Sequence, residues 1–292
     1  ARRALDRHSV RLAARHSVVH SGVDRRRLAL DRVARDAARR DLDVGEHTTL
    51  IVLVGRVDAW QGHSLLIDAA ERLRFRHPDA VFLLVGDAPP GEGRRVAELC
   101  EEIERRELTG YVRQLPRPRD RASILVAADI VVLPATQPES FALVAAEAMA
   151  CARPVVAAAH GGIVEVVDAG VTGLVFEPGD AEKLAWALQV LVEDHGRTRE
   201  MGRRGASRQA EHFSIERVLR QMDRLWSQVA SGTFVHRASE TRLVHFVLGD
   251  VDPDRLGDVE HSVHHLAAAQ AARGFDVTVL GVSSAPEASD PM

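Results

Sequence analysis

Several things are scarce in this 292-residue chain, and each scarcity narrows what it can be. There are two cysteines, Cys100 and Cys151, far apart and both in apolar helical surroundings, which points to reduced buried thiols rather than a disulfide framework. Lys183 is the only lysine, so nearly all basic residues are arginine, the codon bias of a GC-rich genome. Aromatics make up 4% of the chain. Charge of either sign is not in excess: a net −4 and a pI near 6.4 exclude a dedicated nucleic-acid binder and leave only local arginine patches. No long hydrophobic run exists either. The longest apolar tract, 141–159, is broken by Glu147, Arg153 and Pro154, so it reads as helix, turn and strand of a core rather than a membrane span. No signal peptide is recognisable, and the chain opens at Ala1 rather than Met, so its true start is expected to lie upstream.

What is present suits a soluble α/β protein: 46% hydrophobic residues for a core and 27% charged residues for a surface. Apolar runs at 48–54, 80–85, 111–115 and 130–133 read as buried strands, separated by helical patterns at 64–70, 94–107 and 120–128. Strand–helix alternation of this kind predicts a doubly wound parallel sheet, Rossmann-like, with helices on both faces. The loop 88–93 lacks the Gly-x-Gly-x-x-Gly fingerprint of a dinucleotide site, which speaks against a dehydrogenase.

The chemistry concentrates in 134–162, PATQPESFALVAAEAMACARPVVAAAHGG. Two carboxylates, Glu139 and Glu147, stand with seven residues between them. Ser140 is a natural N-cap and 141–150 is rich in Ala, Leu, Met and Glu, so a helix is predicted to begin there. Glu139 would then lie on the loop and Glu147 inside the helix. The backbone N–H groups of Phe141, Ala142 and Leu143 would present the positive end of the helix dipole to an anion. A phosphate seat flanked by two acceptors for sugar hydroxyls results.

These residues resemble the retaining glycosyltransferases of the GT-B fold, family 4, whose donor-binding domain carries a Glu, seven residues, Glu signature in a similar phrase. Glu139, Phe141, Leu143, Glu147, Ala148, Met149, Pro154, Val155, Val156, Gly161 and Gly162 all match. The resemblance implies that Glu139 contacts the donor sugar and is the catalytic-site carboxylate. It implies that Glu147 binds the ribose and that the 141–143 amides lie near the diphosphate. The phrase VGRVDAWQGHSLLIDAA at 54–70 resembles the family's first strand–loop–helix, where an Arg after the Gly and a Lys five residues on hold the diphosphate. Gly55 and Arg56 match; Gln61 stands at the lysine position, and Ala142 and Ala152 stand where the family usually has Gly. Val112 and Arg113 fall where the family's backbone lies beside the nucleotide base. The family needs no metal or other cofactor, its donor being a nucleotide-diphosphate sugar. The acceptor (saccharide, lipid or small molecule) stays open, and so does peripheral membrane contact at the inner face of a cytoplasmic membrane; nucleic acid is not expected as a partner.

The resemblance also divides the chain. The phrase VVHSGVD at 18–24 is similar to the family's hinge, so 1–24 is expected to close a preceding domain, 25–230 to be the nucleotide-sugar-binding domain and 231–241 to be a linker. Then GDVEHSVHHLAAAQAARGFDVTVL, within 242–292, resembles the opening β-α-β unit of an acceptor domain. That order is the reverse of the usual one. A piece of a tandem transferase, a circular permutant and a gene-calling artefact all account for it, the first being favoured. His261 and His265 are spaced for a metal, but no third ligand converges, and a solvated helix face is the better reading. Two functions fit: sugar transfer with this chain as the donor half, or nucleotide-sugar binding without transfer, the latter suggested by Gln61, Ala142 and Ala152.

Overall fold

The structure, a computed structural model, describes residues 19–28, 32–118, 121–139 and 141–230, together with the strand backbones at 242–247 and 276–281. The chain forms two compact units, Ala1–Ser214 and Ile215–Met292.

In the first unit a 3-10 turn at Arg25–Arg27 precedes helix α1 (Arg32–Asp41). The order then runs β1 (Thr49–Val54), α2 (His63–Leu73), β2 (Ala80–Val85), α3 (Arg94–Arg105), β3 (Val112–Leu115), α4 (Arg121–Ala127) and β4 (Ile130–Leu133). It continues through α5 (Leu143–Ala150), β5 (Val155–Ala158), α6 (Ile163–Val166), β6 (Gly173–Phe176), α7 (Ala181–Glu193) and α8 (His195–His212). The six strands form one sheet in the order β3-β2-β1-β4-β5-β6, every neighbouring pair parallel. The doubly wound α/β expectation holds. The second unit contains α9 (Ile215–Ala230) and a parallel pair, β7 (Arg242–Val247) with β8 (Asp276–Gly281). The expected helix between those strands and His261, His264 and His265 lie outside the described residues, as does the 231–241 linker.

The continuous apolar strands are explained by burial on both faces. Alternate residues of β1 feed separate cores: Leu50, Val52 and Val54 pack under α1, α4 and α5, while Ile51 and Leu53 pack under α2, α3 and α7. Each such aliphatic side chain, removed from water, contributes roughly 1.5–3 kcal/mol. A sheet covered on both faces has no use for the polar alternation of a half-exposed strand.

The edge of the sheet at the strand starts is held by arginine. Asp129, just before β4, accepts from Arg35 at 2.5 Å, from Arg39 at 3.0 Å and from the Leu50 amide at 2.8 Å. Arg39 is 6% exposed and also donates to the carbonyls of Ala127, Gly45 and Thr48. Arg35 and Arg39 thus clamp α1 to the strand starts. Nearby, burial and then the Arg35 charge push the Arg153 guanidinium down to about 10.

Helix ends follow the expected chemistry in places. Asp180 caps α7 by accepting from the Lys183 amide at 2.9 Å. Helix α5 ends differently: Ala152, past its last turn, takes φ +56°, the left-handed region where a Cβ is strained by about 1–2 kcal/mol. Ala152→Gly relieves that strain and loses part of the gain to a more flexible unfolded chain, so a net stabilisation of about 0.5–1 kcal/mol is expected. The check is a rise in denaturant midpoint with an unchanged m-value.

Candidate functional site

Strand order reverses between β1 and β4, which are neighbours in the sheet although they are not consecutive in the chain. In a doubly wound sheet a crevice opens outside the carboxyl ends of such a pair. Two loops meet there: 55–62, leaving β1, and 134–142, leaving β4. Three contacts stitch them. Thr136 donates its amide to the Trp60 carbonyl at 2.7 Å. Gly62 sits at φ +81° so close to Pro134 that a Cβ would lie 2.1 Å from its carbonyl oxygen, which admits only glycine. Gln61 Nε2 donates to Glu139 Oε1 at 3.2 Å.

Asp58 organises the first loop, accepting from the amides of Trp60 at 3.2 Å and Gln61 at 3.0 Å. Arg56 extends into solvent, 57% exposed, with Nε 3.7 Å from Asp58 Oδ2. Gly55 donates its amide to Val85, and its Cα faces the Gln61 amide, where a methyl would stand 2.8 Å from Oε1. The structure therefore draws Gln61 onto Glu139, an engagement that sequence spacing gave no means of finding.

Glu139 is held from the opposite side too. Its carbonyl accepts from the Gly162 amide at 2.7 Å, and Gly161, at φ +63°, passes so near that a Cβ would be 2.5 Å from that oxygen. His160 Nε2 lies 2.7 Å from the Ala135 carbonyl, which makes Nε2 the protonated nitrogen. The Gly-Gly pair is thus the backbone-thin wall that lets the β5 loop close on the Glu139 loop.

The helix begins later than its composition suggests. Helix α5 starts at Leu143 with Ala142 in the cap position, φ −83°, and no side-chain cap; Ser140 lies outside the described residues. Phe141, expected as the first helical residue, instead packs its ring against His20 (5.8 Å between centroids) and Phe213 (5.9 Å). Aromatic packing by a partly buried ring outweighs two further residues of helix. The amides of Leu143 and Ala145 turn inward to the carbonyls of Phe141 and Ala142. Glu147 sits on the second turn of α5, where the remaining residues are apolar and buried. Its Oε1 accepts from Arg121 Nη2, the first residue of α4, at 2.7 Å. Arg121 was not anticipated. The Glu165 side chain pairs with His20 at 3.0 Å, so the segment read as a hinge packs on the same face as Phe141.

The two residues placed beside the base have committed side chains. Val112 is buried in the core, and Arg113 donates to the carbonyls of Leu42 at 2.6 Å and Asp43 at 3.4 Å. Next to them Gln114 reaches the Gly86 carbonyl at 2.9 Å and so ties β3 to the loop after β2. An open pocket of about 350 Å³ lined by Val164, Val167, Asp168, Ala169, Val175 and Arg208 contains none of the predicted donor residues. No group of three metal-ligating side chains occurs among the described residues, and none of their helices is long and apolar enough to cross a membrane. Cys151 is buried and Cys100 half-buried.

The profile of the family described as Glycosyl transferases group 1 matches residues 34–208, more than half of the chain. This chain belongs to that family. Among curated relatives of this glycosyltransferase chain, the D-inositol 3-phosphate glycosyltransferase of Kribbella flavida is 38% identical over 210 residues, covering 70% of this chain and 48% of that protein. The enzyme of the same name from Salinispora tropica is 38% identical over 218 residues, covering 71% and 45%. The chain spans about half the length of the curated relatives it matches. Among solved structures, Anabaena HepE in complex with UDP and glucose aligns with a TM-score of 0.68 at 30% identity, over 72% of this chain and 56% of that one. Sucrose-phosphate synthase from Thermosynechococcus elongatus aligns with a TM-score of 0.70 at 29% identity, over 79% and 57%. The glycosyltransferase family and the Rossmann-like, GT-B architecture expected from 54–70 and 134–162 both hold.

His63, the first residue of α2, is 4% exposed, and neither ring nitrogen has a hydrogen-bond partner. Burial pushes its pKa down from 6.5 to about 4, so it is neutral at physiological pH. The unfolded chain takes the proton first as pH falls below 6.5, and stability is lost between pH 6.5 and 4. Relative to His63→Leu, the native protein should lose about 2–3 kcal/mol more on going from pH 7 to 4.5. Denaturant unfolding at both pH values checks this, and parallel losses in the two proteins would refute it.

Proposed function

We propose that this chain supplies the donor-binding half of a retaining glycosyltransferase that uses a nucleotide-diphosphate sugar. The observation that carries the proposal is the joining of Glu139 to the β1 loop through Gln61, directly outside the β1/β4 switch point. A carboxylate held there accepts hydrogen bonds from sugar hydroxyls while the diphosphate rests between the positive end of the α5 dipole and Arg56. Glu139 is the residue that touches the sugar at the reacting end; Glu147 takes the ribose; the backbone at 112–113 lies beside the base. UDP, glucose and UDP-glucose bound to HepE support a donor of this chemical class. The finer assignment to family 4, and with it the retaining outcome, rests on the Glu139–Glu147 spacing and the surrounding phrase. So does the expectation that helix dipole and arginine, without a metal, stabilise the leaving diphosphate. The acceptor would be held by a separate domain, and the β7–β8 pair is proposed as the opening of such a domain within 242–292. The site of action proposed is cytoplasmic, with membrane contact peripheral.

A second reading, nucleotide-sugar binding without transfer, draws on Gln61: a neutral amide stands where a second cation would offset the diphosphate charge. Glu139→Gln separates the contact roles. The fold should be unaffected, because a partly exposed loop carboxylate contributes little to packing. Affinity for UDP-glucose should fall about tenfold, the loss of one charge-assisted hydrogen bond, while affinity for UDP stays within twofold. Titration calorimetry on both ligands is the measurement, and an equal loss for both would remove Glu139 from the sugar. Transfer activity with an added acceptor domain would decide against the binding-only reading.

A further inference from the structure

Helix α5 is apolar and buried at every position but one. That one is Glu147, and its partner arrives from a different βα unit: Arg121 opens α4, directly after the loop that leaves β3. The Nη2–Oε1 distance is 2.7 Å, and the two side chains are 21% and 16% exposed. A half-buried ion pair of this kind adds little to folding, because desolvating both charges offsets most of their attraction. Its strong effect is on geometry. A glutamate has three rotatable side-chain bonds, and the Arg121 contact anchors one of its two carboxylate oxygens, Oε1.

We propose that Arg121 is a positioning residue for the donor site: it orients the Glu147 carboxylate so that the ribose hydroxyls of the nucleotide meet an acceptor that is already in place. The inference rests on the donor-site reading above, in which Glu147 takes the ribose. A preformed acceptor spares the cost of ordering a flexible side chain on binding, which is where affinity for a diol is otherwise lost. Each carboxylate of the pair meets a side chain from another βα unit: Glu139 accepts from the Gln61 amide and Glu147 from the Arg121 guanidinium.

A purely structural role for Arg121, silencing a buried charge, predicts different behaviour, and ribose discrimination tells the two apart. The probes are UDP, GDP and ADP, each against its 2′,3′-dideoxy form, titrated into the full chain and into Arg121→Gln and Arg121→Lys. The unsubstituted chain should prefer the ribonucleotide. Arg121→Gln should narrow that preference by about fivefold or more through weaker ribonucleotide binding, with dideoxy affinity unchanged. Arg121→Lys keeps the charge without the planar fork and should recover only part of the preference. Equal weakening of both forms, or an unchanged preference, overturns the proposal. If Arg121→Gln does not fold, Arg121→Lys decides alone: a full preference in that variant overturns it, and a reduced one supports it. An unsubstituted chain that binds both forms equally would end the ribose role of Glu147, and this inference with it, while leaving the donor site standing. Binding of no nucleotide would instead overturn the donor-site reading itself.

Discussion

The close approach of two loops at one point of the sheet carries the rest of the structure. Where β1 and β4 lie side by side, the chain leaving β1 must turn into α2 against the chain leaving β4, and Gly62 meets the Pro134 carbonyl with no room for a side chain. Any Cβ there would push the loops apart. With them apart, the Thr136–Trp60 bond and the Gln61–Glu139 bond would both be lost, and Glu139 would keep only its ties to the β5 loop side of the crevice. Reversal of strand order opens the crevice; the glycine sets its width.

Among the described residues, the charges around that crevice each have an identifiable neighbour or face solvent. Arg56 points to solvent near Asp58, Arg113 is spent on two carbonyls of the segment after α1, and Arg121 is engaged by Glu147. The region is therefore not a basic trough of the kind that binds polyanions by bulk charge, in keeping with the net −4 of the chain.

Membership of the glycosyl transferase group 1 family covers 34–208, wholly inside the first compact unit. The second unit holds α9, which begins at Ile215, and the parallel β7–β8 pair. A parallel pair presents unpaired backbone on both outer edges and needs further strands or a covering layer to be stable by itself. The proposed start of another domain within 242–292 would account for such a pair.

Much of this was legible in the residues alone, for definite reasons. The runs at 48–54, 80–85 and 130–133 are apolar at successive positions, and only strands buried on both faces require that, so the parallel sheet followed directly. The spacing of Glu139 and Glu147 and the Gly161-Gly162 pair marked the site because they combine chemistry with backbone geometry that few other phrases need. The start of α5 was not legible. Local composition favoured 141 as the first helical residue, but the ring of Phe141 finds more contact with His20 and Phe213, residues more than 70 positions away in sequence. The Gln61–Glu139 bond was not legible either, because position in a motif says nothing about which neighbour a side chain meets once the loops fold together. Arg121 carried no signal at all. Twenty-six positions separate it from Glu147, and only the packing of α4 beside α5 brings guanidinium and carboxylate to 2.7 Å. Periodicity and residue type determine which segments are strands and where acids stand; which charges and rings meet is decided by the three-dimensional crossing of loops from different βα units.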